Sequence, residues 1–102
     1  MRDIRFNVNQ QRIQNEDSVA FVYKGSHNYI NLIFNFNKDW EGCVKGIVYV
    51  VGAKEKAYLL KDDSHVVPAE AFDEKELVFY LVGKTKDYRI ESQKFTIKLK
   101  LD

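Results

Sequence analysis

The side chains that come nearest to a chemical site are Asp62, Asp63 and His65, which stand close together in the segment DDSHVV. Carboxylate oxygens and imidazole nitrogens are metal ligands, so this grouping first suggests a metal ion. A calcium loop, however, needs more oxygen ligands at set intervals and a glycine at its turn, and this segment has neither. His27, the other histidine, has no metal-ligand neighbour at the usual spacing. We therefore predict no metal site and no cofactor.

Cys43 is the one cysteine of the chain and a candidate nucleophile. A catalytic cysteine needs a base beside it, and neither histidine is near it in sequence. A lone thiol forms no internal disulfide, so we expect a small buried hydrophobic side chain. The sequence also lacks a glycine-rich phosphate loop and the HExxH and GxSxG motifs. These features predict a protein that is not an enzyme and has no small-molecule substrate.

The charge of the chain is nearly balanced, with 16 Lys and Arg against 15 Asp and Glu and a net charge of +1. This balance disfavours a nucleic-acid partner held by a general basic field. Residues 62–76 carry six acids and one base, and residues 83–100 carry six bases and two acids. We interpret both segments as solvated surface, with a functional basic face as the alternative.

The start of the chain, MRDIRFNV, is charged and strand-like, which predicts no signal peptide. No apolar run approaches the ~20 residues of a membrane helix, so we expect no membrane partner. The chain is expected to be made in a reducing cytoplasm.

Strands are predicted almost throughout. Apolar and polar residues alternate over 4–8, 30–36 and 95–101, and β-branched or aromatic runs cover 19–23, 44–51, 56–60, 77–82 and 88–90. Gly52-Ala53 predicts a two-residue type II′ loop, and Pro68 predicts the end of a strand and one helical turn over 69–72. Strands at this spacing predict one all-β domain over residues 1–102, an antiparallel sandwich of seven to eight strands with at most one short helical turn near Pro68.

The predicted core consists of large apolar residues on the buried faces of these strands and of the one tryptophan. They are Phe6, Ile30, Leu32, Phe34, Phe36, Trp40, Leu77, Phe79, Leu81, Phe95, Ile97 and Leu99. Trp40 lies in the polar turn NKDWEG, so it is either a core side chain or an exposed anchor for a ligand.

Two strands are apolar on both faces, although each sheet of a two-layer sandwich buries only one face. In the strand 77–82 one face carries Leu77, Phe79 and Leu81, and the strand 44–51 is also mostly apolar on both faces. Either loops or the N-terminal segment cover the second face, or the sheet curls into a barrel, or the face contacts a partner subunit. The hypothetical partner-binding residues are Val78, Tyr80, Val82, Tyr49, Lys98 and Lys100. Alternatively, Lys98 and Lys100 lie on an exposed edge strand and prevent it from pairing with another chain.

The segment Asp39-Trp40-Glu41-Gly42, followed by Lys45 and the strand 47–49, resembles the W-[DE]-G-x-x-K element of small β-sandwich domains in tail and baseplate proteins of phages of Gram-positive bacteria. Val67-Pro68-Ala69-Glu70 and LVFYLVG resemble the V-P-x-E … F-x-V-x-V-x-G pattern of the same family, and 95–99 resembles its closing strand. The opening IRFNVN is similar to that of baseplate upper-protein N-terminal domains.

The resemblance implies an immunoglobulin-like sandwich without catalytic residues, in which Trp40 plugs one end of the core and Gly42 allows the turn. It also implies protein–protein contact with other subunits of a phage or prophage tail or baseplate. Such a protein is made in the host bacterial cytoplasm and ends in the virion tail. Val78, Tyr80 and Val82 depart from the pattern because they are more apolar than its outward positions.

Two other functions are compatible with the sequence. One is a small inhibitor encoded by a phage or mobile element, which would bind one host defence protein through its apolar face or basic C-terminal strand. The other is a carbohydrate-binding module, which would need exposed aromatic side chains on a polar face. Tyr23, Tyr29, Tyr58 and Tyr88 are the candidates for that role.

Overall fold

The computed structural model describes residues 1–101, which form ten strands and two short 3-10 turns. The strands are β1 (Arg2–Asn9), β2 (Arg12–Asn15), β3 (Phe21–Tyr23), β4 (Ile30–Phe36), β5 (Val44–Val51), β6 (Lys54–Leu59), β7 (Ser64–Val66), β8 (Glu76–Lys84), β9 (Arg89–Glu91) and β10 (Phe95–Lys100). The 3-10 turns are Lys38–Trp40 and Ala69–Phe72. The helical turn after Pro68 was predicted, whereas the polar turn at Trp40 was not predicted to be helical.

One sheet has four strands in the order β2-β1-β4-β7. β1 and β4 run parallel, with Phe6 beside Phe34, and the other pairs of this sheet are antiparallel. Side-chain amides connect β1 and β4 on the outer face. Asn31 Nδ2 donates to Asp3 Oδ1 at 3.2 Å, Asn35 Nδ2 to Asn7 Oδ1 at 3.2 Å, and Asn37 Nδ2 to Asn9 Oδ1 at 3.0 Å. This sheet therefore has an apolar inner face and a largely polar outer face, as expected when one side is solvated.

The second sheet has six strands, with β3, β10, β8, β5 and β6 in order and β9 paired to the C-terminal half of β8. β3 and β10 run parallel, and the other pairs are antiparallel. The all-β sandwich predicted from the sequence is confirmed, although it has ten strands instead of seven to eight. Its sheets are mixed rather than purely antiparallel. The reason is that alternation along a strand defines its two faces and carries no information about the direction of its neighbour.

Aromatic rings fill the centre of the core between the two sheets. The Phe6 ring centroid lies 5.4 Å from that of Phe34 and 5.5 Å from that of Phe79, and Phe34 and Phe79 are 5.8 Å apart. All residues of the predicted core are buried except Phe36 and Phe95, which are half-buried against the same cluster. Each fully buried ring stabilises the fold by about 1.5–3 kcal/mol.

Trp40 closes one end of this core. Its side chain is 0% exposed, and its Nε1 donates a hydrogen bond to the carbonyl oxygen of Gln10 at 2.7 Å. Gly83 of β8 leaves room for the indole, because a Cβ at that position would lie 2.7 Å from Trp40 Cε3. Gly42 ends the turn with φ +77, a backbone conformation that glycine adopts without strain. The prediction that Trp40 plugs the core is confirmed.

Candidate protein-interaction face

The outer face of the six-stranded sheet carries a continuous strip of apolar side chains, which we call the apolar face. The register of β5 and β8 places Val78 beside Val50, Tyr80 beside Val48, and Val82 beside Gly46. β6 continues the strip, because Leu59 pairs with Gly46 and Ala57 with Val48. The apolar face is defined by the following residues: Val44, Gly46, Val48, Val50, Ala57, Leu59, Val78, Tyr80 and Val82.

The side chains at one end of the apolar face are open to solvent. Val44 is 67% exposed and Leu59 is 73% exposed, while Val50, Val78 and Val82 are half-buried. The N-terminal segment does not cover this face, because β1 lies in the four-stranded sheet. Apolar strips of this kind on a soluble protein usually mark contact sites.

Tyr80 lies flat across the apolar face. Its side chain is only 8% exposed, and its hydroxyl donates a hydrogen bond to Glu55 Oε1 of β6 at 3.1 Å. The ring therefore reaches from β8 over β5 and holds the Glu55 carboxylate at the edge of the strip. Burial and the hydrogen bond to Glu55 together raise the pKa of Tyr80, so its hydroxyl stays protonated and remains a donor.

Tyr49, which we included among the partner-binding residues, does not lie on this face. It pairs with Phe79 and points with it into the core, where it is fully buried. Its Oη lies 2.8 Å from His65 Nδ1. Burial, with the nearby Tyr58 and Glu70, raises the pKa of Tyr49. The prediction that Tyr49 lies on the contact surface is wrong. The buried and the outer face of β5 can be told apart only from its register with β8, and the sequence does not give that register.

Lys98 and Lys100 lie on the flank of the apolar face formed by β10 and β3. Lys98 pairs with Glu76 of β8 and with Phe21 of β3, and Lys100 pairs with Tyr23. Lys100 Nζ stands 4.3 Å from the Phe21 ring centroid, a cation–π contact that orders this flank. The alternative role of the two lysines as edge guards is wrong, because β10 lies between β3 and β8.

Sequence reasoning missed Glu55 and Leu59 of β6 and Phe21 of β3. Leu59 belongs to the apolar face, and Glu55 and Phe21 border it. The signal for the first two was present in the two-residue loop Gly52-Ala53. The hairpin places Val51 opposite Lys54 and hence Val50 opposite Glu55, and Gly52 has the positive φ of +61 that a type II′ loop requires at this position. No comparable local signal exists for Phe21, because β3 joins the sheet through a distant parallel strand.

The acidic loop, in which we considered and rejected a metal site, is a tight turn. Asp62 and Asp63 have φ values of +53 and +55 between the bridged residues Lys61 and Ser64, as in a type I′ turn. Asp63 pairs with Lys45 at 3.2 Å. Within residues 1–101, no three acidic, histidine or cysteine side chains lie close enough to hold a metal ion.

The described chain also contains no helix that is long and apolar enough to span a membrane.

The tyrosines considered for carbohydrate binding are not brought together. Tyr23 lies on the outer side of the six-stranded sheet, and Tyr29 lies just before β4 in the other sheet. The Tyr58 hydroxyl hydrogen-bonds to Glu70, and its ring packs 5.9 Å from that of Tyr49. Tyr88 donates to the carbonyl oxygen of Asp39 at 2.7 Å.

Cys43, which was expected to be buried, is half-buried, and its Sγ lies 3.9 Å from the Tyr88 hydroxyl.

Two mixed sheets packed on an aromatic core, with one polar and one apolar outer face, define a small β-sandwich. Among solved structures, the fold is similar to the N-terminal domain of phage TP901-1 ORF48, with a TM-score of 0.63 over 98% of this chain and 99% of that chain. The two sequences are 11% identical, so the likeness concerns the fold. The resemblance to phage tail and baseplate domains is confirmed at that level. No protein-family model and no curated protein matches the chain.

Proposed function

We propose that the chain is a non-catalytic structural module of a phage or prophage tail or baseplate, which works by protein–protein contact. The observation that supports this function is the likeness of fold along the whole length of both chains to a phage domain. The sequence pattern around Trp40 and Pro68 independently favours the same class of protein. The protein is made in the host bacterial cytoplasm and is then built into the virion tail.

The apolar face is the contact surface for other protein subunits. Its centre is apolar and nearly free of charge, and its flanks carry Lys98 and Lys100 on one side and Glu55 on the other. An apolar centre with a charged rim is the usual anatomy of a protein interface. Val78, Tyr80 and Val82 supply the centre, and the two lysines supply part of the rim.

The test is whether the protein is found in purified phage particles, and whether the apolar face is needed. Val82→Lys places a charge on the half-buried centre of the face, and Ile33→Lys is the matched control on the outer face of the other sheet. Immunoblots of gradient-purified particles should detect the wild-type protein and Ile33→Lys but little Val82→Lys. Circular dichroism confirms that both variants are folded.

If the wild-type protein is absent from particles and co-purifies with one host protein, the proposal fails and the inhibitor function takes its place. Incorporation of Val82→Lys at the wild-type level would show that another surface makes the contact.

A further inference from the structure

We propose that the edge strand β6 pairs with β6 of a second copy of this chain, in an antiparallel register centred on Ala57. Within residues 1–101, β6 is the longest strand at a free sheet edge, with six residues. The strands that end the two sheets elsewhere, β2, β3 and β7, have four, three and three residues. A long free edge offers unpaired backbone groups to another strand, whereas short edges do not. This pairing does not depend on the tail function proposed above.

The backbone groups that β6 directs to the free edge belong to Glu55, Ala57 and Leu59. The Leu60 N–H donates to the carbonyl oxygen of Lys45 at 2.9 Å, in the same register as the β5–β6 pair. Hydrogen-bonded pairs alternate along an antiparallel ladder, so every second residue counted back from Leu60 bonds to β5. The three residues between them point their N–H and C=O groups outward. In the part of the chain that the structure describes, no other backbone group bonds to these three.

The charges of β6 restrict which strand can pair with it. The run Lys54-Glu55-Lys56 is of the kind that protects sheet edges against unspecific pairing. Glu55, however, accepts a hydrogen bond from the Tyr80 hydroxyl at 3.1 Å, which reaches it from the side of β6 that faces β5. β6 also contains no proline, and its register with β5 is continuous. The edge is therefore open to a strand whose charges are compatible with these lysines.

The register of a symmetric β6 pair is limited by length and charge. A two-fold axis perpendicular to the sheet places one residue opposite its own copy. Only centres at Lys56 and at Ala57 pair five residues of β6 on each copy, and centres nearer either end pair three or fewer. A centre at Lys56 puts two lysines directly opposite, which destabilises a strand pair. In the Ala57 register the opposed pairs are Ala57 with Ala57, Lys56 with Tyr58, and Glu55 with Leu59.

The Ala57 register also matches the hydrogen-bonding groups of the two edges. It places the outward groups of Ala57 opposite those of Ala57, and the outward groups of Glu55 opposite those of Leu59. Three hydrogen-bonded pairs result, with roughly six backbone hydrogen bonds across the axis. The register selected by charge is thus one in which every outward group of β6 is paired.

The side of β6 that faces the other sheet adds attraction between the copies. There the Tyr58 hydroxyl donates to the Glu70 carboxylate. This hydrogen bond and, to a lesser extent, the charge of Lys56 lower the pKa of Glu70. In the Ala57 register, Lys56 of the other copy stands opposite Tyr58, so each Glu70 has a second lysine nearby. The two Lys56 side chains are diagonal neighbours across the axis, and the two carboxylates offset their charge.

The pairing joins the apolar faces of the two copies into one surface. Ala57 lies beside Val48 on the apolar face, so the row of apolar side chains continues through the axis to Val48 of the other copy. Leu59, which is exposed in a single copy, packs against the methylene groups of Glu55 of the other copy. The dimer therefore presents a contact surface twice as wide as that of one chain.

Sedimentation equilibrium of the full chain tests the pairing through the residue on the axis. Ala57→Lys and Ala57→Glu each put two like charges opposite each other, so each should raise the dimer Kd at least about fivefold. An equimolar mixture of the two variants should recover dimers, because a lysine then faces a carboxylate across the axis. Thr96→Lys adds the same charge on the same side of β10, inside the sheet, and is the control that should dimerise as wild type.

Ala57→Pro tests the backbone pairing separately. The Ala57 N–H points away from β5, so proline removes the outward donor without removing a bond to β5. This variant should be monomeric and keep the circular dichroism spectrum of the wild type. A wild-type chain that is monomeric at all concentrations overturns the proposal. An Ala57→Pro dimer as tight as wild type, or a mixture that dimerises no better than either charged variant alone, also overturns it. The tail function is decided separately, by the presence of the protein in particles.

Discussion

Trp40 and Gly83 form the residue pair on which the end of the core depends. The indole is fully buried, its N–H is satisfied by Gln10, and its ring occupies the space that a side chain on Gly83 would take. A large aromatic side chain and a residue without a Cβ are thus complementary across two distant parts of the sequence. This explains why a tryptophan in a polar turn is structural and does not act as an exposed anchor.

Trp40→Ala should lower the free energy of unfolding by about 3–5 kcal/mol, because it removes a fully buried indole and leaves a cavity. Urea unfolding followed by tyrosine fluorescence or circular dichroism measures the loss. Tyr23→Ala, at an exposed aromatic position on the outer flank, is the control and should cost much less. A Trp40→Ala variant as stable as wild type would contradict the role of the indole as a plug.

Among the strands, alternation and β-branched runs allowed most elements to be predicted, including the central pair β5 and β8. The strand β2 was missed because it is short and lies among polar residues, with Ile13 as its one buried apolar side chain. The strand predicted to end at Pro68 was given no start, and it is the short strand β7. The mixed pairing was also missed, since the parallel neighbours β1 and β4 are far apart in sequence. For the same reason the apolar face was only partly predicted, and Tyr49 was placed on the wrong side of the sheet.

A polar cluster connects the two sheets along one side of the sandwich. His65 of β7 lies between Tyr49 of β5 and Tyr58 of β6, with ring centroids 5.6 and 4.8 Å away. Burial lowers the pKa of His65 from its usual value of 6.5. The neutral imidazole is therefore the form that fits between the sheets, next to the Tyr49 hydroxyl.

This cluster predicts that the protein is less stable at mildly acidic pH. Between the lowered folded pKa of His65 and the unfolded value near 6.5, the unfolded chain binds more protons than the folded chain. The contribution of neutral His65 to the free energy of unfolding is complete above about pH 6.5. It is lost as the pH falls from 6.5 toward the pKa of His65 in the folded protein. Urea unfolding at pH 7.5 and pH 5.0 should show this decrease in wild type and in His27→Gln, and a smaller one in His65→Gln. Equal pH dependence in wild type and His65→Gln would rule out His65 as its source.

For the whole molecule, the informative property is the difference between its two outer faces. The four-stranded sheet presents side-chain amides to solvent, whereas the six-stranded sheet presents valines, Leu59 and the flat ring of Tyr80. A sandwich with one polar and one apolar outer face has a preferred side for assembly. This difference is the structural basis on which we propose that the chain joins protein subunits through its apolar face.

The most direct test of this function is photo-crosslinking inside assembled phage particles. In one variant a photoreactive phenylalanine analogue replaces Leu59, an exposed residue of the apolar face. In a second variant of the same chain it replaces Tyr29, an exposed residue beside the other sheet. We expect the probe at position 59 to crosslink to a tail protein or to a second copy of the chain, identified by mass spectrometry, and the probe at position 29 to give little product. Crosslinks from position 29 without any from position 59 would contradict the assignment of the apolar face as the contact surface.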